Sequence, residues 1–355
     1  MRIERAHNIA LLVPGGIVHF PQRHLCPDDF SHAEAGEFEV LIGSPSSVIL
    51  TTGTFVLTVT TRSSGPGAGK TEERFFLRKS DVTMTEWSEH CVQVNDLTIH
   101  YHRAGDTAKP AIILLHGVMD NGLCWTPVAR DLQADFAVYM LDARGHGRTG
   151  GALENFSYSV LAEDVAAFIE ALDLQKPYVF GHSMGAMTAA VLAAQAPERV
   201  RAIVLEDPPF GDEPQAEKRD GEPAPRHQQM LQWILSLRTL SLEERLIVAR
   251  KDNPNWDEAE LAPWADSKVE FNPEVFHHLQ ANIPWREALA RIACPVLLVT
   301  GDPEAGAIIT PNLAQEASRL WHNGEVAHIQ GAGHCIHRDR YNEAMASVQA
   351  FLRHA

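Results

Sequence analysis

The chain has 355 residues, 45% of them apolar and 21% charged, with 24 glycines and 21 prolines, which is the make-up of a soluble globular protein of about two domains. Its net charge of −16 lacks the basic footprint that nucleic acid or an anionic membrane surface requires, so neither is expected as a partner. No stretch approaches the roughly 18 apolar residues of a membrane-spanning helix.

The five cysteines, Cys26, Cys91, Cys124, Cys294 and Cys335, include no C-x-x-C pair. Neither a disulfide framework nor a thiolate zinc site is indicated. The apolar run near the start is cut at Pro14, Gly15 and Gly16, too early for a signal peptide. A cytoplasmic protein is the expectation.

Residues 1–83 carry a net charge of −1 and residues 84–355 the remaining −15, so the two parts are different material. In the first part, Ser47–Thr61 is rich in β-branched residues and reads as strand, as does Phe75–Leu77. Between them, Gly65-Pro-Gly-Ala-Gly-Lys70-Thr71 approaches a phosphate-binding loop, in which backbone amides cradle phosphate and a lysine reaches its outer oxygens. Ser64 stands where that pattern needs its first glycine, and no helical period follows, so a plain loop is the better reading. Residues 1–83 are expected to be an N-terminal extension of unknown role, partly β, that the catalytic unit does not need.

From Met84 onward the character changes. A hairpin is predicted around Asn95-Asp96, followed by short buried strands at Ala111–Leu115, Ala137–Leu141, Tyr178–Phe180, Ala202–Leu205, Val296–Thr300 and Val326–Ile329. Leu161–Leu174 and Gly185–Ala196 have the apolar period of helices packed on a sheet. Strands alternating with helices imply an α/β protein with a mostly parallel, doubly wound sheet. The alternation stops over 208–284, which reads as a helical cap insertion with a helix near His227–Leu237. Residues 84–207 and 285–355 then form the core.

Gly181-His182-Ser183-Met184-Gly185 follows a predicted strand and opens a predicted helix. That is the context of a nucleophile elbow, where flanking glycines permit a tight turn and the helix N-terminus favours a developing anion. The strand Ala111–Leu115 ends in His116-Gly117-Val118-Met119, a turn able to present a backbone amide. The Val118 and Met184 amides are the expected oxyanion donors. His116 itself reads as a structural histidine bonding its own loop. After the last strand, Gly331-Ala-Gly-His334-Cys-Ile-His337 offers a base with a pKa near neutrality. His334, flanked by the glycine turn, is preferred to His337.

On these motifs, residues 84–355 resemble the α/β-hydrolase fold superfamily: the His-Gly turn, the Asp142-Ala-Arg-Gly145-His-Gly147 loop, the elbow and the late Gly-x-Gly-His recur in that order. The resemblance implies a triad in which an acid orients His334, and three carboxylates compete. Asp207, after the strand preceding the cap, sits where some lactonases of the superfamily carry theirs and is taken first. Glu304 in Gly301-Asp302-Pro303-Glu304 matches the commoner place, although the residue is Glu and the loop is long. Asp302 is third. Ser183 in the nucleophile position sets the chain apart from relatives that use Asp to attack epoxides or haloalkanes.

The expected function is cofactor- and metal-independent hydrolysis of a small to medium apolar ester or lactone through an acyl-serine. A carbon–carbon bond hydrolase or thioesterase using the same triad, and a slow-turnover ligand receptor, are the alternatives. Trp233, Trp256, Trp264, Trp285, Phe210, Phe271 and Phe276 read mainly as cap core, and self-association is left open.

Overall fold

The structure is a computed structural model that describes residues 87–355 other than Asn155, 212–224 and 280–283, together with the backbone of six strands within residues 1–86. The chain separates into two compact units, Met1–Ser88 and Glu89–Ala355.

In the first unit β1 (Ala10–Val13) pairs antiparallel with β2 (Gly16–His19). The strands β3 (Phe38–Ile42), β4 (Ser46–Thr51), β5 (Thr54–Arg62) and β6 (Lys70–Leu77) form an antiparallel sheet in chain order. The β-branched stretch Ser47–Thr61 therefore supplies two hairpin strands rather than one. Lys70 and Thr71 open a strand instead of a helix, which removes the context that a phosphate-binding loop requires. The glycines ahead of them lie outside the described residues.

The second unit is built on one eight-stranded sheet of order β14-β13-β12-β11-β9-β10-β8-β7. The hairpin of β7 (Ser88–Val94) and β8 (Leu97–Ala104) turns at Asn95, whose φ of 50° suits asparagine better than most residues. The strand β8 runs antiparallel to β10 (Ala137–Leu141). The pairs among β9 (Ala111–Leu115), β10, β11 (Tyr178–His182), β12 (Ala202–Glu206), β13 (Val296–Thr300) and β14 (Gly324–His328) are parallel. Every residue of β10, β11, β12 and β13 is buried, as strands covered on both faces must be.

The last strand corrects the sequence reading. It runs over Gly324–His328 rather than Val326–Ile329 and is an exposed edge, with Val326 39% accessible. The short apolar stretch around Val326-Ala327 resembles a buried run, and a run so short cannot be assigned to core or edge by pattern.

The helices α1 (Thr126–Leu132), α2 (Tyr158–Ala171) and α3 (Met184–Gln195) fill the first crossovers. Ser157 caps α2 by accepting the Val160 amide at 3.3 Å. The most central helix is α3, buried from Met184 through Ala193, and it packs on β11, β12 and α2.

Between β12 and the return to the sheet come α4 (Pro225–Arg238), α5 (Leu242–Asp252), α6 (Glu258–Glu270) and α7 (Val275–His278). A Ser241/Glu244 capping box starts α5, and Asp257 caps α6. Helices α4, α5 and α6 share a small apolar cluster of Leu237, Ala249, Leu261, Trp264 and Ala265. Each such large side chain contributes about 2–3 kcal/mol on burial. The chain closes with α8 (Trp285–Arg291), α9 (Pro311–Ala317), α10 (Ile336–Asp339) and α11 (Tyr341–His354). Phe210 and Trp285 stack at 4.9 Å, so these two aromatics hold the ends of the insertion together. No described helix is long and apolar enough to cross a membrane.

Candidate active site

The site assembles where β9, β11 and β12 end, because parallel strands deliver their following loops to one edge of the sheet. Ser183 stands between β11 and α3 with φ 51° and ψ −112°, a conformation that L-residues rarely adopt. The elbow is possible only because its flanks are glycine. A Cβ on Gly185 would lie 2.0 Å from the Leu115 carbonyl oxygen, and one on Gly181 would lie 2.2 Å from that of Gly185. Ser183 is anchored from behind, its amide donating to the Glu206 carbonyl at 2.8 Å. Met184 is the first residue of α3, so its amide has no acceptor within the helix.

The turn after β9 lies against the elbow. A Cβ on Gly117 would stand 2.8 Å from His182 Nδ1 and 3.4 Å from Ser183 Cβ. The Asp120 amide donates to the Gly117 carbonyl at 3.2 Å, closing a β-turn with Val118 and Met119 at its centre. His116 is buried and holds the turn's base. Its Nε2 accepts the Ala143 amide at 3.0 Å, and its Nδ1–H donates to the Gly117 carbonyl at 2.8 Å. Both ring nitrogens are thereby used, in agreement with a structural histidine.

Of the three carboxylates weighed from the sequence, the structure puts Asp207 against His334. His334 Nδ1–H donates to Asp207 Oδ2 at 2.6 Å. Asp207 is fully buried, and its remaining acceptor sites are filled by the Ile308 amide at 2.8 Å and the Ile309 amide at 2.9 Å. The His334 side chain is one-third exposed, so one edge of the pair faces out and the other is closed.

Glu304 and Asp302 are engaged elsewhere. Glu304 is exposed in the short 3-10 turn Pro303–Ala305. Asp302 accepts the Gly331 amide at 2.7 Å and pairs with His328 Nε2 at 3.0 Å, stitching the two loops at the edge of the sheet. The commoner acid position therefore serves the loop, and its long 305–311 segment serves Asp207 instead, through the amides of Ile308 and Ile309.

His337, the second histidine of the late motif, has its own carboxylate. Its ring Nδ1–H lies 2.8 Å from both oxygens of Glu206, and its amide donates to Glu206 Oε1 at 3.0 Å. Burial opposes ionisation of Glu206, yet His337 outweighs it and the carboxyl is held down at about 2. Trp125 stacks on the His337 ring at 4.5 Å. The consecutive acids of β12 and its exit thus hold two histidines three residues apart.

His182 joins the elbow to this loop. Its Nε2–H donates to the His334 carbonyl at 2.9 Å, and its ring centroid lies 4.7 Å from that of His334. Burial pushes the His182 imidazole down to about 3, so it stays neutral beside the reacting residues. Neither His182 nor Glu206 was distinguished by the sequence reading, although the Glu206-Asp207 tandem at a buried strand end was a signal for two partners rather than one.

The alpha/beta hydrolase fold matches residues 110–341, well over half of the chain. The chain belongs to that family. The N-formylmaleamate deformylase of Pseudomonas putida is 27% identical over 275 residues, covering 74% of this chain and 96% of that protein. Among solved structures, a membrane phospholipase A described as a bacterial virulence factor is 27% identical with a TM-score of 0.60, covering 76% of this chain and 87% of the other. E-2-(acetamidomethylene)succinate hydrolase has a TM-score of 0.61 at 18% identity, covering 75% of this chain and 99% of the other, a likeness of fold.

The family membership agrees with the α/β, mostly parallel fold expected from the sequence. The aromatic residues singled out there lie mostly in packing roles: Trp264 in the cap cluster, Phe271 against Phe276 at 5.2 Å, and Trp256 donating to Asp339 at 2.9 Å. Trp233 is 37% exposed. Among the described residues no three His, Cys, Asp or Glu side chains converge as metal ligands would.

Proposed function

We propose that the protein is a serine hydrolase that cleaves a small to medium apolar carboxylic ester or lactone through an acyl-serine intermediate. Ser183 Oγ attacks the carbonyl carbon while His334 Nε2 takes the hydroxyl proton, and Asp207 keeps that imidazole in the Nδ1–H tautomer. The Val118 and Met184 amides donate to the tetrahedral oxyanion, each contributing on the order of 3 kcal/mol to the transition state. Collapse breaks the ester bond as His334 returns the proton to the leaving oxygen. Water, deprotonated by His334, then cleaves the acyl-serine and regenerates the hydroxyl.

One observation carries this reading: a serine held at a strained strand–helix elbow whose preceding residue, His182, bonds the backbone of a histidine whose Nδ1 is 2.6 Å from a fully buried carboxylate. The phospholipase relative favours an acyl substrate. The deformylase relative favours a second reading, in which the same residues release a formyl group from nitrogen.

The test is intact-mass measurement after treatment with a fluorophosphonate, beside turnover of a panel of short esters, lactones and N-formyl amides. Labelling that disappears in Ser183→Ala, with rapid multiple turnover of an ester or lactone, is the expected result. Turnover confined to the N-formyl amides would favour the second reading. No labelling and no turnover would refute both and favour a ligand receptor.

A further inference from the structure

The turn that carries the Val118 amide is strained. Met119, its third residue, has φ 69°, the value that a type II turn demands at this position and that glycine or asparagine normally supplies. A methionine there persists only where its surroundings over-determine the conformation. Those surroundings come from the cap. Lys268 of α6, 2% exposed, donates from Nζ to the Met119 carbonyl at 2.9 Å, to Asp120 Oδ1 at 2.8 Å and to Ser267 Oγ at 3.2 Å, with the Trp264 ring 4.9 Å away.

The other oxygen of Asp120 accepts from Arg338 Nη2 at 3.0 Å, and Arg338 Nε lies 3.3 Å from Glu260 of α6. Two acids and two bases, all buried, therefore tie α6 to the turn after β9 and to the residues just beyond His334. A second bond repeats the link, from Asn121 Nδ2 to Glu270 Oε2 at 2.7 Å. Although burial opposes it, the Arg338 and Lys268 charges hold the Asp120 carboxyl far below the usual carboxylate range.

We propose that Lys268 is a positioning residue for the oxyanion turn. By gripping the Met119 carbonyl and the Asp120 carboxylate from helix α6, it fixes the direction of the Val118 amide, so the seating of the cap helix sets oxyanion stabilisation. This rests on the reading of Val118 as an oxyanion donor. Lys268 never touches substrate, and its effect passes through the peptide of the turn.

The experiment uses the full chain and the best ester of the panel, with active sites titrated by fluorophosphonate burst. Lys268→Met should lower kcat about 10- to 100-fold, the cost of a donor displaced by a fraction of an ångström, with KM within about threefold. Affinity for a trifluoromethyl ketone, which forms the tetrahedral adduct, should fall by the same factor. Lys268→Arg, which keeps charge and donors, should recover most of that loss.

Lys268→Met leaves a buried negative charge and can fail to fold. Lys268→Met/Asp120→Asn restores neutrality while leaving Met119 unheld. In the double variant Tm should return toward wild type while kcat and ketone affinity stay depressed. If kcat per titrated site recovers along with Tm, or if Lys268→Met changes KM alone, the lysine is merely structural and the proposal is overturned. Absence of labelling in the wild type would instead defeat the hydrolase reading itself, so the two failures are distinct.

Discussion

Replacing Asp207 with asparagine exchanges one oxygen for an NH2 and offers the site no satisfactory arrangement. In the wild type Oδ2 accepts both the His334 Nδ1–H at 2.6 Å and the Ile308 amide at 2.8 Å, and Oδ1 accepts the Ile309 amide at 2.9 Å. All three partners are donors, so the asparagine NH2 must face one of them wherever it is placed. Set at the Oδ1 position, it opposes Ile309. Set at the Oδ2 position, it opposes Ile308 and donates to His334, which must then carry its proton on Nε2. That tautomer cannot take the proton of Ser183.

A buried unsatisfied donor costs about 1–3 kcal/mol of stability. With the NH2 toward His334 the tautomer error costs far more in rate, about four orders of magnitude in kcat, or roughly 5 kcal/mol of barrier; with it toward Ile309 the tautomer is kept, but the negative charge that stabilises the imidazolium is lost. The assay is the first-order rate of fluorophosphonate labelling together with kcat/KM on the best ester, with Tm recorded to verify the fold. Glu304→Gln, on an exposed turn, should stay within about twofold in both. A folded Asp207→Asn protein retaining more than a tenth of wild-type kcat/KM would refute the assignment, as would a greater loss in Glu304→Gln.

Three further outcomes are expected. Gly185→Ala places a Cβ 2.0 Å from the Leu115 carbonyl oxygen, so urea unfolding should show a loss of at least about 3 kcal/mol or no folded protein at all. Glu206→Gln replaces a carboxylate that accepts from both the His337 ring and its amide by a neutral amide in a fully buried place; it should cost about 1–3 kcal/mol in the same measurement, and no loss would show the pair to be incidental. His100 lies between Asp142 at 2.7 Å and Glu89 at 2.9 Å; burial favours its neutral form, yet these hydrogen bonds push it up from 6.5 to about 9. Its stabilisation is complete below about pH 6.5 and is lost as the pH rises through about 9, at most about 3 kcal/mol, so chemical denaturation between those values should steepen in wild type and flatten in His100→Gln.

Much of the fold was legible because its signals are local. Strands β9, β10 and β13 begin and end where predicted, because strands covered on both faces read as short, nearly continuous apolar runs. The elbow was equally plain, because two close backbone approaches demand glycine on either side of Ser183. The edge strand was misplaced because the short apolar pair Val326-Ala327 of β14 reads like part of a buried run although the strand is exposed.

The acid of the pair with His334 was undecidable locally for a different reason. Asp207, Glu304 and Asp302 all follow strands that end at the same edge of the sheet, so sequence position brings each of them near. What separates them is the path of residues 305–309, whose Ile308 and Ile309 amides turn back onto Asp207. Backbone donors carry no signature in the residue alphabet. The same holds for the turn at Met119: its φ of 69° contradicts its side chain, and the residue that makes the conformation tolerable lies 149 positions away on the cap. Half of the positive-φ residues other than glycine among the described residues, Asn95, Asp173 and Lys176, lie in plain turns, whereas Met119, Ser183 and Asp207 lie at the candidate site, where the groups that hold the break come from elsewhere in the fold.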